Sequence, residues 1–184
     1  LWITGEIESG AARRTPDLVH VAITPFGLDG PRRDWQSCDL VAQAAGGMAF
    51  VNGHPHEAPL AGLGLQAYHS ASAYAAIAAL LALWQRRRDG RGRRVDVSLQ
   101  ACVAATVEHA SSFLQQTGAI EERRGTLHWS RTFRVGRCRD GRVLHCALGD
   151  WTSLLEWLKS EGAAQDLDRP EWEEFARRKE HCEH

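Results

Sequence analysis

Residues 90–100 read GRGRRVDVSLQ and come shortly after an apolar run from Ala71 to Trp84. The apolar side chains of that run recur at helical spacing, which predicts a long core helix. Three arginines at 86–88 lie in its last turn, where positive charge suits the helix dipole. Gly90 or Gly92 can adopt the left-handed conformation that commonly ends a helix. We therefore expect the helix to end at this glycine-rich turn.

Strands and helices alternate along this part of the chain. Apolar and polar residues alternate over 94–98, which predicts a strand, and helical spacing characterises both 66–88 and 99–117. Residues 18–24 form a β-rich run between two prolines, typical of a strand that is buried on both faces of a parallel sheet. A shorter helix is predicted over 39–49 and ended by two glycines. The alternation favours α/β architecture.

The segment after Gly118 has a different character. Alternating segments at 132–135 and 143–147 flank Asp140-Gly141, a strong signal for a β-hairpin. An amphipathic helix is predicted over 151–161. The two predicted domains are residues 1–117, a partial large α/β domain with a linker helix, and residues 118–184, a partial small domain with the hairpin and a helix.

The composition excludes several classes of partner. The 184 residues are 43% hydrophobic and 24% charged, which is ordinary for a globular protein, and the formal net charge is −1. Such a balance gives no field that attracts nucleic acid or an anionic membrane surface. The run from Ala71 to Trp84 is shorter than the ~20 residues that span a bilayer. We expect no nucleic-acid partner and no membrane partner.

The cysteines and histidines indicate a reducing compartment and no metal site. Five cysteines are an odd number without a C-x-x-C pair, which predicts reduced thiols and a cytoplasmic location. Cys138 and Cys146 are the only pair that the predicted hairpin would bring near each other. The histidine groups at 54–56 and 181–184 lack the spacing of a tetrahedral metal site.

Two upstream motifs accompany the glycine-rich turn, VAITPFGLDGP at 21–31 and CDLVAQAAGG at 38–47. In this order the motifs resemble the class III coenzyme A transferases over residues 16–150. That family includes formyl-CoA and carnitine CoA-transferases and the α-methylacyl-CoA racemases. The resemblance implies part of a Rossmann-like open sheet, a long linker helix, the start of a small α+β domain and an interlocked dimer. It also implies a coenzyme A thioester and a carboxylic acid as substrates, without a metal or a nucleotide redox cofactor.

Beside that family the chain resembles an internal fragment. The family's N-terminal nucleotide-fold segment, which supplies much of the CoA site, has no counterpart here. Residues 177–184 look like a helix that is cut off partway.

The transferases that this chain resembles use an aspartate at the start of the apolar helix, which attacks the acyl-CoA thioester. Counts from the motifs on either side agree on Tyr68 for that position, and no Asp or Glu lies between Glu57 and Asp89. A tyrosine cannot form the acyl anhydride. Two interpretations stay open: Tyr68 and His69 shape or hydrogen-bond a CoA or acyl pocket, or His69 is the base of a different chemistry.

Racemases of the same family require a histidine and an aspartate for proton transfer beside the thioester. The matching positions hold Cys38 and Tyr68, so an acyl-CoA racemase-like enzyme is the less favoured alternative. Asp39 follows Cys38, and its carboxylate is expected to cap the helix that begins there.

The resemblance also suggests residues that contact CoA. Phe26 and Gly27 follow the buried strand, at the end where open α/β sheets bind ligands. Gly46 and Gly47 either admit the CoA chain close to the backbone or only end a helix. The predicted CoA contacts are Phe26, Gly27, Gly46, Gly47, Gln66 and Arg124.

Together these observations predict a CoA-transferase-like protein without its own nucleophile, as one subunit or half of a transferase. The alternative is a non-catalytic subunit that binds acyl-CoA or assembles with a partner chain. The predicted partner is a second copy or a family member that carries the aspartate. Whether the chain is itself an enzyme stays open at this point.

Overall fold

The computed structural model describes residues 1–5, 15–127, 133–146 and 150–181. The chain divides into two compact units, Leu1–Arg123 and Arg124–His184. This division falls shortly after the domain boundary that the sequence predicts between 117 and 118. Each unit has its own arrangement of elements.

The first unit is built around a parallel sheet. Its three strands, in spatial order, are β1 (Trp2–Thr4), β2 (Val19–Thr24) and β3 (Arg93–Ser98). β2 pairs with both neighbours, and Val21 is opposite Val95 of β3. Val19, Val21 and Ala22 have no exposed surface, which confirms the prediction of a strand buried on both faces. The α/β class that the sequence predicts is therefore correct.

Five helices surround this sheet in the described part of the first unit. They are α1 (Asp39–Ala45), α2 (Met48–Val51), α3 (Gln66–Asp89), α4 (Leu99–Thr106) and α5 (Glu108–Thr117). α3 packs on β2 and β3 and contacts α1 and α4. Because α3 leads into β3 beside the beginning of β2, its first turn lies toward the carboxyl ends of the strands.

The two glycines of the glycine-rich turn have different roles. Gly90 ends α3 with a left-handed φ of 71°, and its N–H donates to the Arg86 carbonyl oxygen at 2.8 Å. Gly92 lies against the chain before β2, where a Cβ would be 2.2 Å from the Leu18 carbonyl oxygen. Its N–H donates to the Pro16 carbonyl oxygen at 2.9 Å. Only a residue without a side chain allows this approach.

α3 packs on the sheet through its small side chains. Its buried residues are Ala67, Ala71, Ala75, Ala79 and Ala82. The larger members of the apolar run, Ile77, Leu80, Leu81 and Trp84, are exposed in this unit. The prediction of a core helix is right for the alanine stripe and wrong for these side chains. The reason is that the helix is apolar on all sides, so its periodicity does not select one face.

By length and composition alone α3 could also cross a membrane. Core helices of globular domains pass the same test. The packing of α3 against β2 and β3 fits a core helix.

The helix predicted over 39–49 is two helices. α1 ends at Ala45, and Gly46 follows with helical φ and ψ angles. Gly47 then adopts a φ of 92°, which is left-handed and favours glycine, and α2 begins after it. The glycine pair therefore turns the chain inside the predicted helix.

The helix predicted over 99–117 is also broken, at Val107. The Thr106 hydroxyl donates to the Val103 carbonyl oxygen at 2.7 Å, the group that would otherwise accept the Val107 N–H. The Val107 N–H bonds to the Ala104 carbonyl oxygen at 3.2 Å instead. These two bonds lie where α4 ends and α5 begins.

The second unit contains a hairpin and short helices. Its elements are β4 (Phe133–Arg137), β5 (Arg142–Cys146), α6 (Trp151–Ser160), a 3-10 turn (Pro170–Trp172) and α7 (Phe175–Glu180). The strands are antiparallel and are joined by residues 138–141, which confirms the predicted hairpin. Thr132 and Ala147, which the sequence assigns to its strands, lie outside the described residues. The Arg178 guanidinium lies over the Trp151 and Phe175 rings.

The strand register corrects the expected proximity of Cys138 and Cys146. Cys146 is opposite Phe133 at the open end of the hairpin, whereas Cys138 begins the loop at the closed end. About five residues of extended chain, roughly 16 Å, separate the two backbones along the hairpin, far beyond the ~7 Å that a disulfide spans. Cys138 and Cys38 are exposed free thiols, and burial raises the pKa of the Cys102 thiol.

Candidate functional site

The Asp39 carboxylate links the start of α1 to the start of α3. Its side chain is buried, with 8% of the residue exposed. One carboxylate oxygen accepts the Tyr68 backbone N–H at 3.1 Å, and the other accepts the Gln43 side-chain amide at 2.5 Å. In the described part of the chain no side chain caps α1 itself. The prediction that Asp39 caps its own helix is therefore wrong, since its carboxylate caps a helix 29 residues further along the chain.

Gln43 extends this contact to the loop before α3. It is 1% exposed, and its amide oxygen accepts the Gly62 N–H at 2.8 Å. A Cβ on Gly62 would lie 2.9 Å from the Gln66 side chain and 3.3 Å from the Gln43 amide oxygen. The loop therefore fits closely against Gln43, and both ends of residues 62–68 are bonded to α1.

Tyr68 is the third residue of α3, where a backbone N–H has no acceptor within the helix. Its side chain is 41% exposed, and the Tyr68 hydroxyl has no hydrogen-bond partner in the described part of the chain. The next residue, His69, is exposed as well. Gln66 donates its side-chain amide to the Leu63 carbonyl oxygen at 2.5 Å. The structure thus exposes a phenol and an imidazole at consecutive positions in the first turn of α3, and each can hydrogen-bond a ligand.

The loop after β2 lies at the same edge of the sheet. Gly27 has a left-handed φ of 87°, and its N–H donates to the Thr24 hydroxyl at 3.0 Å. The Leu28 N–H donates to the Asp96 carboxylate at 2.9 Å, which ties the loop to β3. Phe26 meets Trp35 edge-on, with ring centres 6.0 Å apart. Carboxyl ends of parallel strands are the usual place for ligands, so this fixed loop suits the predicted contacts Phe26 and Gly27.

Gly46 and Gly47 have packing reasons of their own. A Cβ on Gly46 would lie 2.5 Å from the Val103 side chain, so glycine lets α1 approach α4 closely. Both glycines also line an open apolar groove of about 330 Å³ with Phe50, Val107 and Leu114. This packing of Gly46 adds to its place at the end of α1, and the contact of Gly46 and Gly47 with CoA stays a prediction.

Arg123 is fixed in the first unit by contacts that the sequence did not indicate. Its guanidinium donates to the carbonyl oxygens of Phe50 at 3.0 Å and His54 at 3.4 Å, and it lies over the Phe50 ring. These acceptors are about 70 residues away, so no local pattern marks the contact. Arg124, the predicted CoA contact, begins the second unit, and its role stays a prediction.

Among the described residues no group of three or more His, Cys, Asp or Glu side chains is placed to hold a metal ion.

Five of the predicted site residues form two groups. Tyr68, His69 and Gln66 share the first turn of α3, while Phe26 and Gly27 share its edge of the sheet.

The parallel sheet, the glycine-rich turn and the capped helix start define an α/β protein of the CoA-transferase type. The family model for CoA-transferase family III matches residues 8–183, and the chain belongs to that family. The recognition made from the sequence motifs is confirmed.

One named relative matches most of the chain, and another matches about half of it. The succinyl-CoA:(R)-benzylsuccinate CoA-transferase subunit BbsE of Thauera aromatica is 31% identical over 174 residues, which are 91% of this chain and 42% of that protein. The formyl-CoA:oxalate CoA-transferase of Streptomyces avermitilis is 42% identical over 89 residues, 48% of this chain and 21% of that protein. The chain spans less than half the length of these relatives.

A solved structure has the same fold. The crystal structure of a CAIB/BAIF family protein from Brucella suis matches with a TM-score of 0.76 at 21% identity. The match covers 97% of this chain and 47% of that chain. It supports the fold of the described residues.

Proposed function

We propose that this chain is part of a CoA-transferase subunit that binds a CoA thioester and a carboxylic acid, while a partner subunit supplies the aspartate nucleophile. One observation supports the proposal: the exposed Tyr68 lies in the first turn of α3, where the resemblance to the transferases puts their aspartate nucleophile. The names of several relatives support a multi-subunit protein, since they include BbsE and the alpha and beta subunits of a succinyl-CoA–L-malate CoA-transferase. The cysteine pattern supports a cytoplasmic location.

The proposed division of labour follows from the side chains. An aspartate of the partner attacks the thioester carbonyl carbon, so that the C–S bond breaks, a C–O bond forms and CoA leaves as the thiolate. Neither the Tyr68 phenol nor the His69 imidazole can form that anhydride. Both can hydrogen-bond the thioester or the carboxylate at the start of α3.

The test uses the full-length protein with succinyl-CoA and isotope-labelled succinate. Alone, the protein should exchange no label between the free acid and the thioester. Mixed with a family member that has aspartate at the Tyr68 position, it should form a complex with measurable exchange. Hydroxylamine trapping of an acyl group on any residue of this chain would contradict the proposal.

A Tyr68→Asp variant tests whether a carboxylate at this position restores exchange. We expect little recovered exchange, because a nucleophile misplaced by about 1 Å loses much of its rate. Tyr68→Asn is the matched control, since asparagine has nearly the shape of aspartate but carries no carboxylate. Exchange at the rate of the complex in Tyr68→Asp alone would show that the subunit lacks only a carboxylate, and would remove the need for a partner.

The alternative is a subunit that binds acyl-CoA or its partner without any role in turnover. The absence of Asp and Glu between Glu57 and Asp89 favours it equally. The rate of label exchange distinguishes the two functions. Under the alternative, the aspartate-bearing partner alone exchanges label as fast as the mixture of both proteins.

A further inference from the structure

A chain of buried hydrogen bonds joins α1 to residue 68. The Gly62 N–H donates to the Gln43 amide oxygen, the Gln43 amide nitrogen donates to Asp39, and Asp39 accepts the Tyr68 N–H. The distances are 2.8, 2.5 and 3.1 Å. Both Asp39 oxygens and both ends of the Gln43 amide are occupied. These three bonds fix the direction of the Gln43 amide, because its oxygen accepts from Gly62 while its nitrogen donates to Asp39.

The network acts on the backbone and leaves the Tyr68 side chain free. The Tyr68 N–H is one of the helix-start donors that have no intrahelical acceptor, so Asp39 supplies its partner. A carboxylate at this end also suits the dipole of a 24-residue helix. The side chains of Tyr68 and His69 project from this turn and remain exposed.

We propose that Asp39 and Gln43 are positioning residues, which hold the backbone at residue 68 so that the first turn of α3 presents its side chains to the CoA thioester. The inference rests on the proposed function for the ligand. The positioning of the backbone rests only on the hydrogen bonds. The positioning and its effect on CoA binding can therefore be tested separately.

The pair offers a swap that keeps every bond. In Asp39→Asn the new amide nitrogen faces the Gln43 nitrogen, donor against donor. In Gln43→Glu two carboxylates face each other in a buried site. In Asp39→Asn with Gln43→Glu the donor and acceptor change places, while the Tyr68 and Gly62 N–H groups keep their oxygen partners and the net charge is unchanged.

The first readout is amide exchange in the full-length protein labelled with [15N]tyrosine. Tyr68→Phe assigns the Tyr68 amide, and Tyr74, inside α3, reports on the helix as a whole. Each single variant should exchange the Tyr68 amide at least about tenfold faster than wild type, because the donor–donor or carboxylate–carboxylate contact displaces residue 39 and its hydrogen bond to the Tyr68 N–H is lost. The swapped double variant should return to within about threefold. Tyr74 should not change.

The second readout is the affinity for free coenzyme A by calorimetry. It should fall in both single variants and return in the double variant, whereas Asp34→Asn, an exposed carboxylate paired with Arg33, should bind as wild type does. Single variants whose Tyr68 amide exchanges at the wild-type rate would overturn the inference. Faster exchange with unchanged CoA affinity would overturn it as well. If the wild type binds no CoA and the exchange pattern holds, the proposed function fails and the positioning role stands.

Discussion

The Asp89 carboxylate at the end of α3 has a pKa well below its ordinary value. It accepts two bonds from the Arg93 guanidinium, at 2.5 and 3.3 Å, and the Arg91 N–H at 3.0 Å. The Arg93 bonds have the largest effect, and together with the Arg91 bond they lower the pKa of Asp89 from 3.8 to about 2. Because the folded pKa is the lower one, the pair stabilises the turn above pH 3.8, and this stabilisation is lost as the pH falls toward 2.

We predict that Arg93→Met raises the pKa of Asp89 toward 3.8, without reaching it, because the Arg91 N–H remains bonded. The measurement is an NMR titration of the Asp89 carboxyl carbon in the full-length protein. Arg94→Met removes a neighbouring guanidinium that makes no bond to Asp89 and is the matched control. An Asp89 pKa that stays near 2 in Arg93→Met would show that the bond from the Arg91 N–H, and not the Arg93 guanidinium, lowers it.

At the scale of elements, the turn between α3 and β3 depends on one close approach. We predict that Gly92→Ala destabilises the protein by about 2 kcal/mol or more, because the new Cβ would meet the Leu18 backbone oxygen at 2.2 Å and that oxygen is held by the Arg93 N–H of β3. Denaturant unfolding of the full-length protein measures the change. Gly141→Ala is the control, with no atom within 4 Å of the new Cβ, and it should change stability by less than about 0.5 kcal/mol. Equal midpoints for the two variants would contradict this.

The elements differ in how far local sequence determines them. The buried strand at 19–24, the end of α3 at Gly90 and the hairpin after Phe133 follow from periodicity and turn residues, so the sequence predicts them. The break at Val107 interrupts a continuous helical pattern, so no periodicity shows it.

The site follows the same division. The motif order placed Tyr68 at the start of α3, as the structure has it, because that assignment uses only neighbouring residues. The partner of the Tyr68 N–H, Asp39, and the acceptors of Arg123 are far away in the chain. Contacts of this kind depend on how elements pack, and sequence spacing does not encode them.

At the scale of the whole molecule, the first unit has an apolar surface that its described residues leave exposed. Tyr74, Ile77, Leu80, Leu81 and Trp84 of α3 are between 43% and 67% exposed. Covering roughly 300 Å² of such surface at about 25 cal/mol per Å² is worth on the order of 7 kcal/mol, comparable with the whole free energy of unfolding of a domain. A contiguous apolar surface of this kind marks an interface.

We therefore predict that the 184-residue chain, made by itself, binds a hydrophobic dye and aggregates or is partly unfolded, while the full-length protein with its partner binds little dye. In the isolated chain, Ile77→Lys combined with Leu81→Lys should reduce dye binding, because the charges interrupt the exposed face of α3. Leu63→Lys is the control, since Leu63 is 94% exposed but lies in the loop before α3. The isolated chain could instead melt as a monomer in a sharp, reversible two-state transition, without dye binding. That result would contradict the prediction and show that the exposed apolar face of α3 is not an interface.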